Sequence, residues 1–107
     1  PPLFLNFLYT YLMTLFQERV ISVVKSIKRG EVLSYGDVAV RAGNPGASRA
    51  VGSIMSHNTD KSVPCHRVVK SDGSIGRYNG LQGEKSKKVL LEREGVKFTK
   101  SGKVIFE

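Results

Sequence analysis

The sequence predicts a single, mainly α domain with a small β component. Its 107 residues can bury one modest core, and 40% hydrophobic with 24% charged residues is typical of a globular chain. Apolar residues recur at helical spacing in several stretches separated by glycine-containing turns. Residues 96–107 alternate instead, which predicts a β-hairpin around residues 100–102.

The N-terminal region combines an apolar stretch with the first predicted helix. Residues 1–16 are nearly all apolar, but they are too few and too often interrupted by polar residues to predict a membrane span. They predict a leader or an extra helix packed on the domain, which itself covers residues 17–107. Thr14 and Gln17 have the spacing of a capping box, so we expect the first helix to begin at Thr14 and to end before Gly30.

Two short helices joined by a turn resemble a helix-turn-helix. Ser34, with Asp37 three residues later, predicts the start of the first, and the second runs from Ala47 to about His57 with one apolar stripe. The opposite face of the second helix consists of small residues and one cation, namely Arg49, Gly52, Ser53 and Ser56. Such a face suits close approach to a nucleic-acid backbone and equally suits tight packing in a core.

Charge and cysteine content narrow the classes of partner and chemistry. Seventeen Lys and Arg residues against nine Asp and Glu give a net charge of +8, which favours nucleic acid before an anionic membrane surface. A single cysteine excludes an intramolecular disulfide and a multi-cysteine zinc site, and indicates a reducing compartment. The two histidines lack regular ligand spacing, so we expect no metal and no cofactor.

Cys65 followed by His66 is the sharpest chemical feature of the chain. A thiol becomes a nucleophile on ionisation, and a histidine can take its proton directly or through one water. Neighbours in an extended strand point to opposite sides, so the pair needs a bridging water or a bend, which Pro64 could supply. A nearby Arg67 would help a thiolate a little. The alternative, favoured by composition alone, is a buried structural cysteine.

The segment 63–69, Val-Pro-Cys-His-Arg-Val-Val, resembles the active-site segment of the O6-alkylguanine-DNA alkyltransferases. Further segments resemble the same family in the same order, from the start of the helix-turn-helix to the last core helix: residues 30–35, 42–45, 48–52, 76–80 and 90–95. The resemblance covers residues 17–96. It implies the winged helix-turn-helix-like C-terminal domain of that family, standing alone.

The activity that this resemblance implies is DNA repair by direct reversal. The protein would flip O6-alkylguanine out of double-stranded DNA and transfer the alkyl group to Cys65, in a single self-inactivating turnover. His66 would act as the base through a water, Glu94 would orient His66, and Asn58 would support the region around the thiolate. We expect a monomer without membrane association, located in the cytoplasm, or in the nucleus of a eukaryote.

The resemblance also implies residues for binding DNA and the flipped base. Arg49 would fill the position that the base vacates, and Tyr35 would press on the phosphate or sugar and protonate the leaving guanine. The DNA-binding set is Tyr35, Ser48, Arg49, Gly52 and Ser53. The base pocket is formed by Tyr35, Val63, Pro64, Tyr78, Asn79 and Gly80. Three lysines of the last helix are expected on a solvated basic face: Lys85, Lys87 and Lys88.

Three other functions compete with alkyl transfer. The short length also resembles the alkyltransferase-like proteins, which bind alkylated DNA without accepting the group and usually carry tryptophan in place of the cysteine. This chain keeps Cys65 and has no tryptophan, which favours transfer. A winged-helix-like regulator would bind a specific DNA sequence and leave Cys65 unused. A cysteine hydrolase would draw no benefit from the positive charge or from the helix-turn-helix.

Overall fold

The computed structural model of the chain describes residues 3–75 and 84–106. In chain order its elements are α1 (Leu3–Lys25), β1 (Leu33–Ser34), α2 (Tyr35–Arg41), α3 (Ser48–His57), a 3₁₀ turn (Cys65–Arg67), β2 (Val68–Val69) and α4 (Glu84–Arg93). The predicted fold class, mainly α with a small β component, is confirmed.

The first helix begins earlier than the sequence predicts. It runs without a break from Leu3 to Lys25, so the predicted start at Thr14 is wrong. Thr14 lies in the helix interior, where its hydroxyl donates to the carbonyl oxygen of Thr10 at 2.9 Å, an ordinary alternative to capping for a threonine. The expected packing on the domain is also wrong for residues 6–14, whose side chains are exposed. The domain boundary after residue 16 falls within this helix and stays a prediction.

Across residues 3–75 and 84–106, no helix combines the length and apolar character that crossing a bilayer requires.

The helix-turn-helix forms as the sequence predicts. Ser34 caps α2, because its hydroxyl oxygen accepts a hydrogen bond from the backbone N–H of Asp37 at 3.0 Å. The first core cluster then joins the two short helices to the second half of α1. Its members from these helices are Val20, Val24, Val38, Ala39, Val51 and Met55, joined by Ile27 after α1 and by Ala42 at the C-terminal cap of α2. Burial of this apolar stripe fixes α3 against α2 and leaves the opposite face of α3 toward solvent.

A two-stranded parallel sheet links the helix-turn-helix to the cysteine segment. Leu33 pairs with Val68 and Ser34 with Val69, a long-range contact that local sequence patterns do not predict. Val68 packs into the first core cluster, whereas Val69 joins a second cluster with Leu91. This division follows from the alternation of side chains along a strand. Consequently β2 holds the 3₁₀ turn between the two halves of the core.

The C-terminal hairpin is present as a short antiparallel pairing of Phe98 with Val104. The hairpin is hydrogen-bonded to the turn after β2, where the Val104 backbone N–H donates to the Gly73 carbonyl oxygen at 2.7 Å. Gly73 has a φ of +89°, and a Cβ there would lie 2.8 Å from the Val104 carbonyl oxygen. Glycine is therefore required at this contact for both backbone conformation and space.

Candidate active site

Cys65 lies at the start of the 3₁₀ turn, where the chain bends immediately after Pro64. Its side chain belongs to the first core cluster, and the residue is 7% exposed. Asn58, the residue that follows α3, donates a hydrogen bond from Nδ2 to Cys65 Sγ at 3.2 Å. The same amide donates to the Asp60 carbonyl oxygen at 2.9 Å, which holds the intervening loop against the thiol.

Burial raises the pKa of the Cys65 thiol above its ordinary value. The hydrogen bond from Asn58 and the positive charge of Lys87 act in the opposite direction but do not outweigh burial. The resting group at neutral pH is therefore the neutral thiol. Nucleophilic chemistry at this sulfur needs a base to remove its proton.

His66 is held by an ionic cluster at the end of α4. His66 Nε2 lies 2.9 Å from Glu94 Oε2, and the two side chains are 13% and 8% exposed. Arg67 donates to both oxygens of the same carboxylate, each at 2.9 Å, and to the Ile27 carbonyl oxygen at 2.8 Å. The bidentate pair fixes the plane of the carboxylate, which in turn fixes the imidazole.

Arg67, and secondarily His66, lower the pKa of Glu94 from 4.5 to about 2, against the opposing effect of burial. The carboxylate is thus ionised at neutral pH and can only accept hydrogen bonds. The Nε2 atom of His66 must therefore be the donor, which leaves Nδ1 as the basic nitrogen of the neutral ring. Arg67 serves the carboxylate rather than the thiol, so the expected direct help of Arg67 to a thiolate is replaced by that of Lys87.

Lys87 is fully buried, which makes its expected place on a solvated basic face wrong. Its Nζ lies 3.4 Å from the Tyr35 hydroxyl oxygen and 5.5 Å from the centre of the Tyr35 ring. Burial raises the pKa of Tyr35, and the negative charge of an ionised Cys65 raises it further, so the phenol keeps its proton. Tyr35 stands at the first position of α2, which brings the helix-turn-helix into contact with α4.

A cleft of about 790 Å³ opens beside the thiol, within the usual range for ligand pockets. Its lining includes residues from α1, the loop after α3, the 3₁₀ turn and α4, among them Lys25, Asn58, Pro64, Cys65, His66 and Leu90. Val63 also borders the cleft but is largely buried in the core. Of the other residues expected in the base pocket, Tyr35 contacts Lys87 and is not among the described residues that line this cleft. Tyr78, Asn79 and Gly80 lie outside the described residues.

The outer face of α3 offers a smooth surface with one cation. Arg49 and Ser53 are exposed, and Ser48 and Gly52 are partly exposed. A Cβ at Gly52 would meet nothing within 4 Å, so this glycine does not serve close packing inside the domain. That observation favours docking over core packing, the two uses that the sequence pattern left open.

Residues 15–96 match the family model described as 6-O-methylguanine DNA methyltransferase, DNA binding domain. The chain belongs to this methyltransferase family. A methylated-DNA–protein-cysteine methyltransferase of Methanothermobacter thermautotrophicus is 51% identical over 84 residues, which cover 78% of this chain and 46% of that protein. The human protein of the same name is 47% identical over 81 residues, which cover 75% of this chain and 38% of the human protein. The chain thus spans less than half the length of these relatives.

Solved structures of related proteins have the same fold as this chain. Atl1 of S. pombe, in complex with damaged DNA containing O6-carboxymethylguanine, superposes with a TM-score of 0.71 at 36% identity. The match covers 86% of this chain and 88% of that one. Mycobacterium tuberculosis OGT in complex with DNA gives a TM-score of 0.70 at 44% identity. That match covers 75% of this chain and 48% of the OGT chain. The resemblance inferred from the motifs is confirmed at the level of the family.

The structure groups the expected reaction residues into two contacts and adds two residues whose contacts sequence reasoning did not predict. Asn58 contacts Cys65 and Glu94 contacts His66, as the family resemblance implies. Arg67 and Lys87 are the additions, the first bound to Glu94 and the second to Tyr35. A sequence signal existed for Lys87. It precedes the apolar Leu91 by four residues and Glu94 by seven, which places all three on one face of a helix.

Proposed function

We propose that this chain transfers the alkyl group of O6-alkylguanine in double-stranded DNA to Cys65, in a single self-inactivating turnover. One observation carries the proposal: a buried thiol beside a cleft is followed directly by a histidine whose ring is fixed by an ionised carboxylate. Related proteins are named methylated-DNA–protein-cysteine methyltransferases, and they share this part of the chain at about half identity.

The reaction is a displacement at the alkyl carbon. His66 accepts the thiol proton of Cys65 through one water, and Glu94 stabilises the imidazolium that results. The Cys65 sulfur then forms a bond to the alkyl carbon as the bond from that carbon to O6 of guanine breaks. Tyr35 gives a proton to the departing guanine. The product on the protein is a thioether, which has no easy leaving group, and this explains why the site works once.

The outer face of α3 is the surface that we assign to DNA. Its small side chains permit close approach to the duplex, and the net charge of +8 favours a polyanion. Because O6 is inaccessible inside the base stack, the target base must leave the helix. Arg49 projects from this face and fills the vacated position, while Ser48, Gly52 and Ser53 face the backbone. We infer that a chain with this function on chromosomal DNA works in the cytoplasm, or in the nucleus of a eukaryote.

Intact-protein mass spectrometry after mixing with a duplex that contains one O6-methylguanine tests the proposal. We expect a gain of one methylene mass on the peptide that contains Cys65, and unmodified guanine in the recovered DNA. A duplex with ordinary guanine serves as the control and should give no gain. Unchanged protein mass with intact lesion would refute transfer.

A lesion-binding sensor is the second candidate, favoured by the match to Atl1 over 88% of its chain. The crystal structure of Atl1 is a complex with damaged DNA that contains O6-carboxymethylguanine. The same experiment separates the two functions. Preferential retention of the lesion duplex with no mass gain identifies a sensor. No gain and no preference identifies a DNA-binding domain that recognises something else.

Arg49→Ala is expected to slow repair of duplex DNA by about tenfold or more, because the flipped state loses the side chain that fills the gap and flipping itself costs a few kcal/mol. Reaction with the free base O6-benzylguanine, which needs no flipping, should change by less than about twofold. Single-turnover rates on the two substrates measure both effects. Arg41→Ala, which removes an exposed arginine from α2, controls for the loss of one positive charge. Equal losses on both substrates would exclude a flipping role for Arg49.

A further inference from the structure

One wall of the cleft beside Cys65 is polar and carries two lysines that the proposed reaction does not use. Lys25, the last residue of α1, and Lys61, in the loop after α3, both border this cleft and are exposed. Within residues 3–75 and 84–106, neither lysine forms an ion pair. An ammonium that no ion pair neutralises attracts an anion that enters the cleft.

The loop that carries Lys61 is fixed against the sulfur. Asn58 donates to Cys65 Sγ at 3.2 Å and to the Asp60 carbonyl oxygen at 2.9 Å. Ser62 donates to the Asp60 carboxylate through its backbone N–H at 2.9 Å and its hydroxyl at 2.7 Å, which closes a tight turn around Lys61. Lys61 therefore has a defined backbone position beside the thiol.

The charged groups of the cleft lining leave an excess of positive charge. Arg67 is paired with the Glu94 carboxylate, so this pair contributes little net charge. Among the described residues that line the cleft, Asp60 is the one carboxylate, and the Lys25 ammonium acts on it electrostatically. Lys25 and Lys61 together outnumber this single negative charge. An anionic group in the cleft is therefore attracted, with Asp60 opposing part of the attraction.

The displacement at the alkyl carbon places the rest of the alkyl group beside this wall. The Cys65 sulfur, the attacked carbon and O6 of guanine lie in line in the transition state, so other substituents of that carbon point sideways. In an alkyl group longer than methyl, the remaining atoms therefore enter the space next to Sγ, where the cleft opens. A negatively charged substituent there also approaches the thiolate, and nearby cations offset that repulsion.

We propose that Lys25 and Lys61 form a subsite for the alkyl group, and that the chain thereby favours O6-alkylguanines whose alkyl group ends in a carboxylate. A carboxylate in the cleft accepts hydrogen bonds from one or both ammonium groups. An apolar group of similar size gains nothing from either lysine and takes water away from a polar wall. The inference rests on the proposed function for the position of the alkyl group, and it concerns which lesions are accepted.

Two lesions of nearly equal shape test the proposal. One duplex contains O6-carboxymethylguanine, and the other contains O6-carbamoylmethylguanine, the neutral amide of the same group. The readout is the ratio of their single-turnover transfer rates at saturating protein, charged lesion over neutral lesion. DNA binding, flipping and removal of the thiol proton are common to both lesions and cancel in this ratio. Because the two groups differ in intrinsic reactivity, the ratio is compared between variants and not with unity.

Each lysine is changed to methionine, which removes the charge at similar length. We expect the ratio to fall about threefold in Lys25→Met and in Lys61→Met, and about tenfold in the double variant, as for exposed ion pairs. Lys61→Arg should keep the ratio of the unmodified chain, and Asp60→Asn should raise it. Lys28→Met is the matched control, because Lys28 is exposed and is not among the described residues that line the cleft. Added salt should lower the ratio of the unmodified chain, since it screens exposed charges.

The outcomes separate this subsite from the proposed function. An unchanged ratio in the double variant, or an equal fall in Lys28→Met, would overturn the subsite while transfer from O6-methylguanine still supports the function. If the chain transfers nothing from O6-methylguanine or from either test lesion, the proposed function fails. The ratio of the affinities for the two lesion duplexes, measured in the same variants, then tests the subsite in place of the rates, with the same falls expected.

Discussion

Cys65→Ala is expected to abolish alkyl transfer completely while leaving the preference for lesion-containing duplex within about threefold of the unmodified chain. Alanine offers no nucleophile, so neither the base nor the proton donor can act. We assign recognition to the outer face of α3, where Arg49 and Ser53 are exposed whereas Cys65 is buried, so we expect recognition to persist without the thiol. Asn58 keeps its hydrogen bond to the Asp60 carbonyl oxygen, so the loop beside the cleft should keep its place. Gel retardation with competing plain duplex and mass spectrometry measure the two properties separately.

The outcome for Cys65→Ala separates chemistry from recognition. Cys65→Ser is the matched control for the loop, since its hydroxyl can still accept the hydrogen bond that Asn58 donates to the sulfur. Residual transfer in Cys65→Ala would show a second acceptor group. A loss of lesion preference in both variants would show that the thiol itself reads the lesion. A loss of lesion preference in Cys65→Ala alone would show that the loop held by Asn58 contributes to recognition of the lesion.

Local signals in the sequence were sufficient for the helix-turn-helix. Ser34 and Asp37 mark the start of α2 through side-chain and backbone chemistry within four residues, and this cap is present. The same kind of signal failed at Thr14, where a threonine followed by Gln17 occurs inside a helix that continues through both residues. A capping pattern begins a helix only where the residues before it cannot themselves be helical. The apolar residues before Thr14 can.

Longer-range features of the site depend on contacts that no local pattern encodes. The pairing of Glu94 with His66 joins residues 28 positions apart, and the family resemblance predicted it where periodicity could not. Arg67 was expected to assist the thiol because it is close in sequence, yet the 3₁₀ turn directs its side chain to the carboxylate instead. Proximity along the chain is a poor guide inside a tight turn, because successive side chains there point in different directions.

The burial of Lys87 was predicted wrongly from the sequence for a different reason. Three lysines within four positions of α4 suggest a solvated face, and composition alone supports that interpretation. The phase of the helix contradicts it for Lys87, which shares a face with Leu91, a fully buried residue. Polar residues at a core position conflict with the apolar pattern, and such conflicts are expected at functional sites. The buried position of Lys87 was thus indicated by the phase of α4 and not by composition.

Glu94→Gln is expected to slow transfer by about a hundredfold or more, with little effect on binding to lesion duplex. The amide has no charge to stabilise the His66 imidazolium, and it can present a donor to Nε2 that reverses the ring tautomer. Single-turnover rates and retention assays check the two parts. Glu92→Gln, which changes an exposed carboxylate two residues earlier on α4, is the matched control and should react at the unmodified rate. An unmodified rate for Glu94→Gln would remove the carboxylate from the reaction.

The same substitution should lower the free energy of unfolding by about 3 kcal/mol at neutral pH, because it leaves the part-buried guanidinium of Arg67 without its counter-ion. The pKa of Glu94 is about 2 in the folded chain against 4.5 as its ordinary value, so between these values the unfolded chain binds more protons. The stabilisation is therefore complete above about pH 4.5 and is lost as the pH falls toward 2. Denaturant unfolding at a series of pH values should show the gap between the unmodified chain and Glu94→Gln closing across that window. A gap that stays constant from pH 6 to pH 2 would mean that the carboxylate contributes through shape alone, and that its charge is not what holds Arg67 and His66 in place.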